Sequence, residues 1–173
     1  MIEKVFIIGM MGVGKSSVGF KLSNESDIKF IDIDDRLNLK SITNNSSDYE
    51  FRQQEYEELL KCSKLNEKLI ISTGGGCVVN ENSRSIIKNF FCIYLHASAD
   101  EIIKRINDKS KFRPLIQSAP NGPINYDLFK SIYDDRINYY QELSNLTVNT
   151  DGLNLDNTVN FIKNELVQYE FIN

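Results

Sequence analysis

Residues Val5 to Ser17 read Val-Phe-Ile-Ile-Gly-Met-Met-Gly-Val-Gly-Lys-Ser-Ser, an apolar run that ends in three glycines, a lysine and two serines. Gly9 to Ser16 fits G-x-x-x-x-G-K-[ST], a pattern that works only between a strand and a helix. The apolar run supplies the strand, and residues from about 15 to 24 have the pattern of the helix. The glycines let successive backbone N–H groups turn toward one anion, and the helix start adds the positive end of its dipole. Lys15 can then reach the β- and γ-phosphates, and the Ser16 hydroxyl can hold Mg²⁺. The loop is read as a nucleoside triphosphate site, with Gly12, Val13, Gly14, Lys15, Ser16 and Ser17 as its candidate binding residues.

That junction sets the expectation for the rest of the chain. Strand-like stretches at Lys4–Ile8, Ile28–Ile31, Lys68–Ser72, Phe91–Leu95 and Leu146–Val148 alternate with helix patterns at about 15–24, 48–65, 81–89, 98–106, 125–143 and 155–168. Short connections between them favour an α/β fold, a parallel sheet with helices on both faces. In such sheets ligands sit at the carboxyl ends of the strands. Two stretches break the pattern: residues 38–48 are polar and irregular, and residues 107–124 hold Pro114, Pro120 and Pro123. A loop that long in a compact domain is usually functional or mobile. The 173 residues suit one domain, without internal repeat or linker.

Charge and cysteine usage narrow the partners. A net charge of −4 gives no footprint for nucleic acid or an anionic membrane. Cys62, Cys77 and Cys92 are odd in number and lack metal-ligand spacing, as free thiols in a reducing compartment would. No apolar run approaches the roughly 18 residues of a membrane span. Lys4 and the apolar run after it faintly resemble a signal peptide, but no small-residue cleavage site follows, and a phosphate loop explains every glycine and the lysine. The expectation is a cytoplasmic protein.

A triphosphate site leaves a signalling switch and a small-molecule kinase open. A switch needs Asp-x-x-Gly and Asn-Lys-x-Asp; none of the nine glycines has Asp three residues before it, and Asn107-Asp-Lys-Ser has the wrong order. Acceptor chemistry is better supplied. In the extended stretch Phe30-Ile-Asp-Ile-Asp-Asp35, Asp32 and Asp34 share a face. Asp32 can position the hydration shell of Mg²⁺, and Asp34 can accept a hydroxyl proton; helix capping by Asp34 or Asp35 is the plainer alternative. Gly74, Gly75 and Gly76 follow the third strand, either as a tight loop or as backbone donors beside a second, small-molecule site.

Gly-x-x-Gly-x-Gly-Lys-Ser, Asp-x-Asp, Phe-Arg-x-x-Glu, Gly-Gly-Gly, Arg-Pro-Leu and Arg-x-x-x-Tyr occur in that order, and together the chain resembles the shikimate kinase family over nearly its whole length. The resemblance implies a three-layer α/β/α P-loop kinase fold with a five-stranded parallel sheet, a shikimate-binding subdomain (about 33–62) and a mobile lid (about 107–124). It implies transfer of the ATP γ-phosphoryl group to the 3-hydroxyl of shikimate, on the route to chorismate and aromatic amino acids, by a monomer using Mg²⁺. Asp34 matches the proton-accepting aspartate and Asp32 its magnesium-associated partner. Arg52 and Arg136 match the arginines on the substrate carboxylate, Phe51 an aromatic at the ring, and Gly74, Gly75 and Gly76 the substrate-contacting glycines. Arg113 matches the lid arginine that reaches the transferring phosphate, a cation that phosphoryl transfer can use. Glu55, three residues past Arg52, would share its helix face and could orient the guanidinium.

The chain departs from the family pattern in places. The segment between Asp34 and Arg52 is several residues short, Ser47-Asp48 stands where Gly-Glu is usual, and Arg136 is followed by Ile-Asn-Tyr-Tyr without the common proline. Val148-Asn-Thr-Asp-Gly152 resembles the adenine-side loop but yields no specificity residue. His96 and Cys77 are read as structural, and Arg84 and Arg105 as solvated helix residues. Another small-metabolite kinase, gluconokinase-like, or a catalytically idle nucleotide-binding homologue are the alternative readings.

Overall fold

A computed structural model of the chain describes residues 2–37, 48–107, 113, 115–119 and 122–172. Five strands form one parallel sheet: β1 (Lys4–Ile8), β2 (Lys29–Asp32), β3 (Leu69–Ser72), β4 (Phe91–His96) and β5 (Leu146–Asn149), in the order β2-β3-β1-β4-β5. Helices α1 (Lys15–Ser26), α2 (Ile33–Arg36), α3 (Asp48–Ser63), α4 (Glu81–Ile87), α5 (Ala99–Asn107), α6 (Tyr126–Leu143) and α7 (Leu155–Gln168) cover both faces. This is the expected α/β P-loop kinase fold.

Burial explains why the central strands read as unbroken apolar runs. Val5, Phe6, Ile7 and Ile8 of β1 and Leu69, Ile70 and Ile71 of β3 are fully buried, because a parallel sheet clad on both faces has no solvent side. Register aligns the carboxyl ends: Asp32 pairs with Ser72, Ser72 with Ile7, Ile8 with Tyr94, and His96 with Asn149. The loops after all five strands therefore open on one edge. Three helices on that edge start at asparagine caps, with Asn80, Asn125 and Asn154 accepting from the backbone N–H of Ser83, Leu128 and Asn157 at 3.1, 3.0 and 2.8 Å.

Strand and helix positions follow the sequence reading within one or two residues, with one substantive difference. Asp32 and Asp34 are not two positions of one strand. Asp32 ends β2 and caps α2, its Oδ1 accepting the Asp34 N–H at 3.0 Å, so Asp34 lies in the first turn of a short helix. The cap is thus Asp32, where sequence reading considered Asp34 or Asp35. Of the expected substrate subdomain at 33–62, residues 38–47 lie outside the described residues; of the expected lid at 107–124, so do 108–112, 114, 120 and 121. Among the described residues no helix is long and apolar enough to cross a membrane.

Gly9, where β1 passes into the phosphate loop, has a φ of +143°, and a Cβ there would strike the backbone carbonyl of Leu95 in β4. Neither atom can yield without moving a central strand. Gly9→Ala is expected to cost about 1–3 kcal/mol, the usual scale of overpacking. A lowered urea midpoint at unchanged m-value checks this; an unchanged midpoint would show that the loop and β4 can part freely.

Candidate active site

The phosphate loop leads from β1 into α1, which begins after Gly14. Lys15 is buried, and its ammonium donates to the carbonyls of Gly9 and Met10 at 2.8 and 3.0 Å. Burial lowers it from the ordinary lysine value to about 8, although Asp34 and Asp32 pull the other way. Ser16 and Ser17 lie exposed at the mouth of the loop.

A second group assembles around the triple glycine. Arg52 and Glu55, one helical step apart on α3, form a buried ion pair at 2.7 Å, with side chains 11% and 1% exposed. Burial raises the Glu55 carboxyl, Arg52 opposes that, and Asp34 adds to it. Two glycines make room for this pair. A Cβ on Gly74 would collide with Glu55 and come within 2.8 Å of Asp34 Oδ1, and a Cβ on Gly76 would occupy the space of the Arg52 guanidinium. Phe51 lies 5.0 Å from that guanidinium, over its ring. From α6, Arg136 Nη1 donates to the Gly75 carbonyl at 3.2 Å, and the Tyr140 hydroxyl donates to the same oxygen. Tyr140 is 2% exposed and stacks on Tyr94. Burial lowers the Arg136 guanidinium, and Arg52 lowers it further, so the two cations feel each other.

Arg113 connects the two groups. It is partly buried, and its charge is coupled to Lys15 and to Asp34. Its Nε is buried and has no hydrogen-bond partner among the described residues. The arrangement brings Lys15, Asp32, Asp34, Arg52, Glu55, Arg113 and Arg136 into one connected electrostatic neighbourhood around Gly74 and Gly76. Cations on both flanks with carboxylates between suit two anions bound side by side.

The structure corrects two arginine assignments. Arg105 is not a solvated helix residue: it pairs with Glu101 at 2.9 Å and donates to Val13 O, Thr150 Oγ1 and Thr150 O at 3.2, 2.9 and 2.6 Å. It thereby joins the phosphate loop to the loop after β5, and between them lies a cavity of about 230 Å³ lined by Gly12, Val13, Arg105, Thr150, Asn154 and Leu155. Arg84 is likewise engaged, donating to the carbonyls of Val78 and Val79 and lying 4.3 Å over the Tyr139 ring. Glu101, four residues before Arg105, was the one local signal that the latter is oriented; nothing in sequence indicates Thr150. His96 and Cys77 are structural in form. His96 shares a 3.1 Å hydrogen bond with the Tyr133 hydroxyl, and Cys77 is fully buried, its thiol pushed well above the ordinary value by burial.

A family model described as shikimate kinase matches residues 11–167. A shikimate kinase of Enterococcus faecalis is 33% identical over 95% of this chain and 98% of its own. Among solved structures, shikimate kinase from Acinetobacter baumannii in complex with shikimate superposes with a TM-score of 0.81 at 23% identity, covering 97% of this chain and 95% of that one. The enzyme from Bacteroides thetaiotaomicron gives 0.82 at 21% identity, covering 94% and 97%.

The lowered Lys15 ammonium predicts a pH dependence. The unfolded chain keeps this proton to about pH 10.4, whereas the folded protein releases it from about 8, so in that window folding favours the neutral amine and stability rises with pH. A phosphate needs the charged form. ATP affinity should therefore fall above about pH 8, by up to about tenfold per unit, and Lys15→Met should abolish that slope. Calorimetry across this range checks it; a flat profile would separate Lys15 from the phosphates.

Proposed function

The chain belongs to the shikimate kinase family, and we propose how its residues divide the work of an ATP-dependent kinase acting on the 3-hydroxyl of shikimate. The observation that carries this reading is the meeting of Asp34, the Arg52–Glu55 pair and the Arg136-bound Gly75 carbonyl at one triple-glycine turn, beside Lys15. A P-loop alone would hold ATP; this neighbouring group gives an anionic hydroxy acid somewhere to lie.

The triphosphate lies along Gly12, Val13, Gly14, Lys15, Ser16 and Ser17, with its base in the cavity beside Arg105 and Thr150. Lys15 leaves its two carbonyl partners to meet the phosphates, exchanging neutral acceptors for anionic ones. Arg52 and Arg136 take the shikimate carboxylate, which suits their forked donors, while Phe51 borders the ring and Gly74 to Gly76 let it approach the backbone. Glu55 holds Arg52 in place. Asp34 accepts the proton of the 3-hydroxyl as its oxygen bonds to the γ-phosphorus and the bond to the β-phosphate oxygen breaks, releasing ADP. Arg113 offsets the charge on the transferring phosphoryl oxygens. Residues 107–124 act as the lid that carries it, and residues 33–62 as the acceptor subdomain.

Mg²⁺ fits the oxygen donors present. The exposed Ser16 hydroxyl and the Asp32 carboxylate, of which Oδ1 already accepts the Asp34 N–H, are hard oxygens near the loop. Among the described residues no group of three or more His, Cys, Asp or Glu converges on a metal position. Mg²⁺ needs none, since it keeps water and takes one or two carboxylates with substrate phosphates. Bound there, it would neutralise charge on the β- and γ-phosphate oxygens. The reading is of a monomer, and three buried free cysteines suit the cytoplasm.

An ADP-release assay with shikimate, quinate and gluconate tests the reading: turnover should require shikimate, and equal turnover with gluconate, or release independent of acceptor, overturns it. Asp34→Asn preserves shape and removes the anionic acceptor, so kcat should fall by about 10²-fold or more with a smaller change in shikimate KM. A rise in KM at full kcat would make Asp34 a binding residue only. For Arg136→Ala, one charged hydrogen bond of about 1.5–3 kcal/mol is lost. Shikimate binding should weaken by roughly 10- to 150-fold while ATP binding holds; equal loss for both ligands would point to misfolding.

A further inference from the structure

Gln117 holds the backbone of Arg113 from both sides, by its side chain on one and by its own N–H on the other. The Arg113 N–H donates to Gln117 Oε1 at 2.9 Å, and the Arg113 carbonyl accepts from the N–H groups of Gln117 and Ile116 at 2.9 and 3.0 Å. The Gln117 amide continues onward, its Nε2 donating to the Gly122 carbonyl at 2.9 Å. The brace is itself anchored. Ile116 is 1% exposed, and its carbonyl accepts the N–H of Asn125, the α6 cap, at 2.8 Å. Gln117 also pairs with Ile124 in an isolated antiparallel bridge.

Arginine has a long side chain with many rotamers, and fixing the direction in which it leaves the backbone narrows where its guanidinium can reach. Both peptide groups of Arg113 are occupied here, one by the Gln117 side chain and one by the turn that Gln117 closes. The guanidinium is then left to point where its charge couples to Lys15 and Asp34, with a buried Nε that has no partner among the described residues. We propose that Gln117 is a positioning residue for phosphoryl transfer, its amide locking the backbone of Arg113 so that the guanidinium meets the transferring phosphoryl group. The inference rests on the role given to Arg113 above. Gln117 acts through that residue and needs no contact with either substrate.

Gln117→Met keeps the length of the side chain and removes both of its hydrogen bonds. It should lower kcat by about tenfold, with shikimate KM within about twofold and an unchanged melting temperature, because Ile116 keeps its burial. Gln117→Glu retains an acceptor for the Arg113 N–H and should recover part of the loss. In an Arg113→Ala background Gln117→Met should change nothing further, since residues that act through one another are not additive. Additive effects, a rise in KM in place of the fall in kcat, or a loss of activity that tracks a lower melting temperature would each overturn the assignment. If Arg113→Ala is impaired while Gln117→Met keeps full kcat, this inference fails alone; if Arg113→Ala is fully active, the role of Arg113 falls with it.

Discussion

A bare turn can hold a triphosphate only if it leaves a strand whose neighbours keep their own side chains out of the way. β1 meets that requirement by sitting at the centre of the sheet, paired with β3 on one side and β4 on the other. Its Gly9 lies against the Leu95 carbonyl of β4, and Met11 lies against Gly75 after β3, where an added Cβ would approach the Met11 nitrogen to 2.8 Å. The same pairing that buries β1 thus sets the triple glycine and the phosphate loop in contact. The proposed acceptor and phosphate sites adjoin because their two strands do.

Burying a lysine beside three carboxylates and three arginines needs compensation, and the distribution of hydrogen bonds shows where it comes from. Lys15 rests on two backbone carbonyls and Arg52 on Glu55, while Arg136 takes the Gly75 carbonyl. Neutral oxygens satisfy Lys15 and Arg136 without neutralising them, whereas Arg52 is paired with a carboxylate. Charge is therefore kept available for an incoming anion, at the cost of a Lys15 ammonium that titrates near pH 8.

Much of this was legible in sequence because the parts are consecutive. The phosphate loop, the triple glycine and the Arg52–Glu55 step each lie within one element, so spacing alone states their geometry. The α2 turn was missed because four residues carry no period, and the capping by Asp32 that creates it reads equally as an extended Asp-x-Asp. Arg105 was misread for a different reason. Its partners Val13 and Thr150 lie 92 and 45 residues away and offer mostly backbone carbonyls, which every residue has. Gln117 is the local counterpart: it lies four residues from Arg113, but a side-chain amide closing a turn has no distinctive sequence signature.

Helix α6 ties these regions together. Near its middle, Arg136 and Tyr140 reach the Gly75 carbonyl from one face, as residues four apart must. Its cap, Asn125, donates its N–H to Ile116, which sits in the turn that orients Arg113. Tyr133, between those points, bonds His96 and the Ala97 carbonyl at the end of β4. One rigid helix, pinned to the central sheet, thus borders both the acceptor anchor and the segment that supplies the phosphate-side cation. Displacing its first turn would disturb Arg113, and displacing its middle would disturb Arg136. In the proposed reading the spacing between acceptor and transferring phosphate is thus held by a helix as well as by loops, the kind of support that in-line transfer needs to keep its reacting atoms in register.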